Sequence, residues 1–439
     1  MSDASTSGTM SPGLLKVVER AQREPEGRFH SLAHLIDVPA LARAYGRIRK
    51  GGAVGVDGIT KEAYGDALQA NLEDLHGRLK SMRYRHQPIR RVHIPKDKGK
   101  TRPIGISAFE DKIVQDAVRA VLEAVYEQDF LDCSFGFRPK RSAHDAVRAL
   151  DRAVNRGKVS WILEADVQSY FDSVDRTKLA ELLQTRVADG SLLRLIGKCL
   201  HVGVLDGSEY SEPDRGTAQG SVLSPLLGNV YLHYVLDVWF EREVRPRLRG
   251  EAVLIRYADD FIIGFERHDD AQRVMAVLGK RFERYGLTLH PDKTRLVPFR
   301  RPPAGQRGGK GPATFDFLGF TAYWARTRSG RWQMRCKTRH VRLRRAIQSV
   351  AEWCRRHRHL PIATQHAALT RRLVGHFNYF GVSGNFRSLV PLVESTEKVW
   401  LKWLRRRSQR TRLTWKRYKA LLERFPLPPP RITVRIWGP

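Results

Sequence analysis

The chain has 439 residues and a mass of 50.3 kDa, enough for a large core and two or three domains. Its four cysteines, Cys133, Cys199, Cys336 and Cys354, stand far apart with no Cys-x-x-Cys pair, which excludes a disulfide-stapled scaffold and a zinc ribbon and fits a reducing compartment. The 78 Lys and Arg against 46 Asp and Glu give a formal charge of +32, and 28 basic but only 4 acidic residues lie from Arg326 onward. A segment so one-sided repels itself unless it sits on a polyanion, and the Trp, Tyr and His interleaved with its Arg favour nucleic acid over an anionic membrane. The most apolar long window, Val222 to Phe240, is broken by Ser224, Pro225, Asn229, His233 and Asp237, too polar for a bilayer span. Residues 1–13 lack the apolar core of a signal peptide, so a cytosolic protein is expected.

In chain order, the small polar residues 1–13 read as disordered, and the apolar spacing from Leu14 to Tyr45 suits short helices. His30 and His34 have the spacing of metal ligands but no acidic third ligand beside them, and are read as structural. A glycine-rich stretch from Lys50 to Gly58 precedes a helical run to Met82. Ile89 to Ile94, the turn from Pro95 to Lys100 and the return from Arg102 to Ile106 predict a hairpin. Phe109 to Tyr126 has helical spacing, and Ser142 with Asp145 predicts a capping box opening a helix to Val154. Trp161 to Val167 is a short buried run ending in a carboxylate, and Ser224 to Arg242 a mostly apolar helix. Val253 to Ala258 and Phe261 to Phe265 are β-rich runs separated by Asp259 and Asp260, a hairpin with two acids at its tip. The middle third is therefore α+β with a mostly antiparallel sheet. After a Gly/Arg/Pro-rich loop over 300–312 and the segment Thr314 to Tyr323, only helical patterns are expected.

Aspartate is a common turn residue, and taken alone the pair at 259 and 260 has that ordinary explanation. Both flanks are strongly apolar, however, and two adjacent carboxylates at the edge of a core repel each other unless a cation lies between them. Asp166, also at the end of an apolar run, is a candidate third ligand. Oxygen ligands without Cys or His select a hard ion, Mg²⁺ or Mn²⁺. A hard ion and a very basic surface together point to phosphoryl transfer on nucleic acid.

These residues carry a resemblance. Tyr257-Ala-Asp-Asp260 resembles the catalytic signature of reverse transcriptases, and Asp166-Val-Gln-Ser-Tyr-Phe171 their first palm motif. In the same order stand Ile94-Pro-Lys-Asp-Lys-Gly-Lys-Thr-Arg102-Pro-Ile-Gly105, Ser134-Phe-Gly-Phe-Arg-Pro139, Gly216-Thr-Ala-Gln219-Gly220, Leu287-Thr-Leu-His-Pro-Asp-Lys293 and Phe317-Leu-Gly-Phe320, each similar to a further block of that family. Gly51-Gly52 through Asp57-Gly58-Ile59-Thr60, with Phe377, Tyr379 and the run from Trp400 to Gln409, brings the chain closest to the group II intron reverse transcriptase/maturase family, bacterial type. That resemblance covers residues 30–435. Nothing follows Pro439, so the form lacking a C-terminal endonuclease is expected.

The resemblance implies an α+β right-hand polymerase, with fingers and an antiparallel palm over 30–325, an all-α basic thumb/maturase domain over 326–439, and residues 1–29 as a disordered or helical extension. It implies that Asp166, Asp259 and Asp260 hold two Mg²⁺ ions, with Mn²⁺ as a substitute and Val167 giving at most a carbonyl. Lys96 and Arg102 would reach the triphosphate of a deoxynucleotide, Phe171 would block a ribose 2′-hydroxyl, and Gln219 and Gly220 would let backbone approach template and nucleotide. Lys293 would lie near the primer terminus. Without the family pattern Lys96, Arg102 and Lys293 would read as solvated, Phe171 as core and Gln219-Gly220 as a turn. Trp400, Trp403, Phe377 and Tyr379 read as core aromatics rather than stacking platforms. The implied partners are a group II intron RNA, an RNA template with a DNA primer or target, and deoxynucleotides, in the bacterial cytoplasm or on the nucleoid. Two other functions fit the same chain: a reverse transcriptase independent of any intron, serving repair or defence, and a non-catalytic RNA-binding splicing cofactor.

Overall fold

The computed structural model describes residues 10–95, 101–217, 219–303, 313–408 and 413–436. Eleven strands are present among them: β1 (Ile89–Pro95), β2 (Thr101–Ile106), β3 (Trp161–Asp166), β4 (Val204–Asp206), β5 (Glu209–Ser211), β6 (Ala252–Tyr257), β7 (Asp260–Phe265), β8 (Arg295–Pro298), β9 (Phe315–Phe317), β10 (Phe320–Arg326) and β11 (Trp332–Thr338). They form three sheets in the orders β2-β1-β4-β5, β6-β7-β3-β8 and β11-β10-β9. Every pairing is antiparallel except that of β1 with β4, so the fold is α+β.

The second sheet is the centre of the molecule. Successive side chains of a strand face opposite ways, and here both faces are covered. Leu163, Phe261, Ile263 and Phe265 enter one buried cluster with the helices Phe109–Asp129, Ser224–Leu232 and His268–Arg284. Ile162, Ile255 and Ile262 enter a second with the helix Ala143–Asn155 and the inner faces of β10 and β11. This two-sided burial is why β3, β6 and β7 read as nearly continuous apolar runs. A third cluster belongs to the helices His340–Arg356, Ile362–Phe380, Phe386–Leu404 and Trp415–Arg424.

Local chemistry sets several boundaries as the sequence predicts. Ser142 and Asp145 form the reciprocal capping box of the helix Ala143–Asn155. The hairpin of β1 and β2 pairs Arg90 with Ile106 through Pro95 with Thr101. Four expectations are corrected. The first helix, Pro12–Arg23, begins inside the segment expected to be disordered, because Ser11 caps it and Pro12 occupies the first position, where its missing N–H costs nothing. The two-residue turn between β6 and β7 is Ala258-Asp259 rather than Asp259-Asp260, since Asp260 already pairs with Tyr257. The helix beginning at Ser224 leaves α geometry for π turns over His233–Asp237 and Phe240–Val244. Finally, β11 lies beyond Arg326, where only helices were expected; the polar Gln333, Arg335 and Lys337 alternate with buried Met334, Cys336 and Thr338, the period-two pattern of a half-buried strand, which pairs along the length of β10. Among the described residues no helix is long and apolar enough to cross a membrane.

Candidate active site

Strand register brings the carboxylates together. Asp166 ends β3 and lies directly opposite Asp260, the first residue of β7, while Asp259 occupies the adjoining turn. The turn is held in an uncommon backbone conformation, with Ala258 at φ 56°. Two neighbours hold it there. Gly136 packs so closely beneath that a Cβ on it would stand 2.3 Å from the Ala258 nitrogen. The Arg256 guanidinium, fully buried, donates from Nη1 to the Ala258 carbonyl at 3.1 Å and to Asn229 Oδ1 at 3.0 Å, and from Nη2 to Ser134 Oγ at 2.8 Å. Its charge is met by Asp237, equally buried, with Nε to Oδ1 at 2.7 Å and Nη2 to Oδ2 at 2.5 Å. Burial acts to lower the Arg256 pKa, but the Asp237 charge and hydrogen bonds outweigh it and hold the value above the ordinary one.

The carboxylates are electrostatically crowded. Burial first, then the charges of Asp259, Asp166 and Glu164, push Asp260 up to about 7, against the single opposing hydrogen bond that Leu318 N–H donates to its Oδ2 at 3.3 Å. Asp259 is also raised, by burial and by Asp166. Asp166 is met by the Lys293 ammonium at 2.6 Å, and its carbonyl accepts from the His290 N–H. Val167 is buried and bridges to Leu289.

The other candidates fall into two places. Gln219 docks on β2: its Oε1 accepts from Arg102 Nε at 2.8 Å, and its carbonyl accepts from the Gly105 N–H at 2.5 Å. Gly220 follows at φ 108°, where an added Cβ would stand 2.4 Å from the Gly105 carbonyl oxygen, so its close backbone approach is to the hairpin. Phe171 lies on the short helix Tyr170–Ser173 and is 9% exposed, with its ring against Gly228. Lys96 lies outside the described residues. The structure thus joins Asp166, Asp259, Asp260 and Lys293 in one cluster and Arg102 with Gln219 and Gly220 in another.

Sequence reading missed Arg256, Asp237, Glu164 and Leu318. Arg256 left a signal: a guanidinium inside the apolar run Val253 to Ala258 must find a buried partner. Leu318 left none, because its contribution is a backbone amide.

The family model described as reverse transcriptase (RNA-dependent DNA polymerase) matches residues 94–322, just over half of the chain. Protein YkfC of Escherichia coli is 35% identical over 282 residues, covering 56% of this chain and 74% of YkfC. The group II intron-encoded protein LtrA of Lactococcus lactis is 38% identical over 202 residues, covering 44% of this chain and 32% of LtrA. An uncharacterized 91 kDa protein in the cob intron of Schizosaccharomyces pombe is 31% identical over 271 residues, 50% of this chain and 33% of that one. The match thus spans about a third of the latter two relatives. The chain belongs to the reverse transcriptases, RNA-directed DNA polymerases, and within that family it is similar to group II intron-encoded proteins.

Reverse transcriptases generally use divalent metal ions. The donor set fits a hard cation: carboxylates alone, crowded enough that the Asp260 pKa is raised and that Asp166 takes the Lys293 ammonium as a counter-charge. Among the described residues the side chains do not converge into a cluster of three metal-holding groups. The register supplies the juxtaposition, and to hold an ion Asp166 would have to give up its pairing with Lys293.

Proposed function

We propose that the chain extends a DNA primer on an RNA template with deoxynucleotides, and that it also binds a group II intron RNA to assist its splicing and mobility. The observation that carries the polymerase reading is the opposition of Asp166 and Asp260 across β3 and β7 with Asp259 in the adjoining turn. In this reading Asp166, Asp259 and Asp260 hold two Mg²⁺ ions, which would lower the pKa of the attacking 3′-hydroxyl and offset charge on the phosphates. Arg102, backed by Gln219, faces the nucleotide with Lys96, and Phe171 sets the limit on the sugar. Residues 30–325 serve as fingers and palm, and the basic segment from Arg326 as the thumb and RNA-binding surface. The intron RNA needs no catalytic residue from the protein, only charge and shape complementarity.

The test replaces both turn-side carboxylates by Asn, which keeps their volume and removes two charges. Asp259→Asn/Asp260→Asn should lower primer extension by at least about a thousandfold, while the protein still binds its flanking intron RNA and promotes splicing at low Mg²⁺. Retained DNA synthesis would overturn the catalytic assignment. Loss of splicing support with the fold intact would overturn the separation of the two activities.

A further inference from the structure

Leu318 is gripped from both ends of its own backbone. It lies in the turn between β9 and β10 at φ 52°, a left-handed conformation that is unfavourable for a leucine and needs support from its surroundings. Its N–H donates to Asp260 Oδ2 at 3.3 Å, and its carbonyl accepts the Tyr379 hydroxyl at 2.9 Å. Tyr379 belongs to the helix Ile362–Phe380, whose buried Leu369, Leu373 and Phe377 enter the C-terminal cluster. Its own position is fixed twice more: the ring stacks on Phe320 with centroids 5.8 Å apart and planes at 14°, and its carbonyl meets His144 Nε2 at 2.8 Å. The following peptide is also held, since the Gly319 carbonyl accepts from the Arg339 N–H at 3.0 Å.

We propose that Tyr379 is a positioning residue, whose hydroxyl fixes the Leu318 carbonyl and so holds the left-handed backbone of that residue with its N–H aimed at Asp260, and thereby couples the C-terminal helical segment to the catalytic carboxylates. The inference rests on the assignment of Asp260 to the polymerase site. It gives the half-buried Tyr379 a role that neither ordinary core packing nor base stacking requires, because both of those use the ring and only this one uses the hydroxyl. It also supplies a physical route by which nucleic acid bound along the C-terminal helices could alter the chemistry at β7: a shift of the helix moves the carbonyl of Leu318, and through its φ and ψ the N–H of the same residue, which touches the carboxylate.

Tyr379→Phe deletes the hydroxyl and keeps the ring on Phe320. In primer extension by the full chain it should lower kcat about five- to tenfold, the scale of one lost hydrogen bond transmitted to a reacting site, with KM for deoxynucleotide and Kd for primer–template unchanged. Hydrogen exchange should accelerate in the peptide containing Phe317 to Phe320 and stay unchanged around Leu369 to Phe377. Unaltered exchange and kcat would overturn the proposal. So would a raised Kd for primer–template with kcat intact, which would make the hydroxyl a nucleic-acid contact. If the parent chain extends no primer, the polymerase reading fails, and the exchange measurement alone decides the coupling: faster exchange at Leu318 upholds it and unchanged exchange overturns it.

Discussion

Asp260 is the residue on which competing forces are most evenly set. Burial and three neighbouring carboxylates raise its pKa to about 7, and one amide opposes them. A carboxyl whose folded pKa lies above its unfolded value, near 3.9 for Asp, stabilises the fold below the unfolded pKa and loses that contribution as pH rises through the folded one. The metal-free protein should therefore lose stability between about pH 4 and 8, by at most about 4 kcal/mol at 1.36 kcal/mol per pKa unit. Asp260→Asn should flatten that dependence in thermal melts with chelator present. Mg²⁺, which competes with the proton, should stabilise the parent more at pH 8 than at pH 6 and the variant hardly at either; an equal shift in both proteins would remove Asp260 from the ion's ligands. Arg256 is a different case, since its charge is spent on structure. Arg256→Met leaves Asp237 buried without a partner and should cost about 3 to 5 kcal/mol in denaturant unfolding. Adding Asp237→Leu should recover a large part of that loss, because the pair is costly mainly when broken.

At the scale of elements, the β6–β7 turn depends on a close approach between two segments far apart in sequence. Gly136 has ordinary freedom in its own loop, yet no Cβ fits between it and the β6–β7 turn. Gly136→Ala must therefore displace backbone, and primer extension should fall at least about a hundredfold, since misplacing a reacting group by about 1 Å costs that much; activity within threefold of the parent would mean that the turn is not a rigid platform. The same dependence explains what could be read in the sequence. The capping box, the β1–β2 hairpin and the apolar runs of β3, β6 and β7 are specified by neighbours within a few residues, and these were legible. The join of Asp166 to Asp260 was legible through their motifs, because only pairing of β3 with β7 puts the two side by side. Long-range contacts that leave no local signal were not: Leu318 on Asp260 and Tyr379 on Leu318. β11 did leave one, the alternation of Gln333, Arg335 and Lys337 with Met334, Cys336 and Thr338, and sequence reading missed it by treating the basic composition around it as helical.

On the scale of the whole molecule, the charge gradient meets a structure that already uses part of it. From Arg326 onward the excess is +24, but not every Arg there is available to a partner. Arg405 Nε donates to the Leu413 carbonyl, Arg407 Nη2 to the carbonyls of His359 and Leu360, and the Arg406 guanidinium covers Trp403, so this cluster ties the ends of the C-terminal helices together. Arg344, Arg355 and Arg371 are instead exposed on the helices His340–Arg356 and Ile362–Phe380. Each phosphate neutralised on a single strand releases about 0.7 counterions, so affinity falls with salt in proportion to the number of such contacts. Reversing these three to Glu should weaken RNA binding and flatten the slope of log Kd against log salt by about 2, the sum for three lost contacts, while the melting temperature stays near that of the parent. Reversing Arg405, Arg406 and Arg407 should lower the melting temperature as well, because it removes hydrogen bonds to backbone carbonyls. The two triple variants together separate charge that serves the partner from charge that serves the fold. An unchanged salt slope in the first would mean that RNA lies elsewhere on the basic segment.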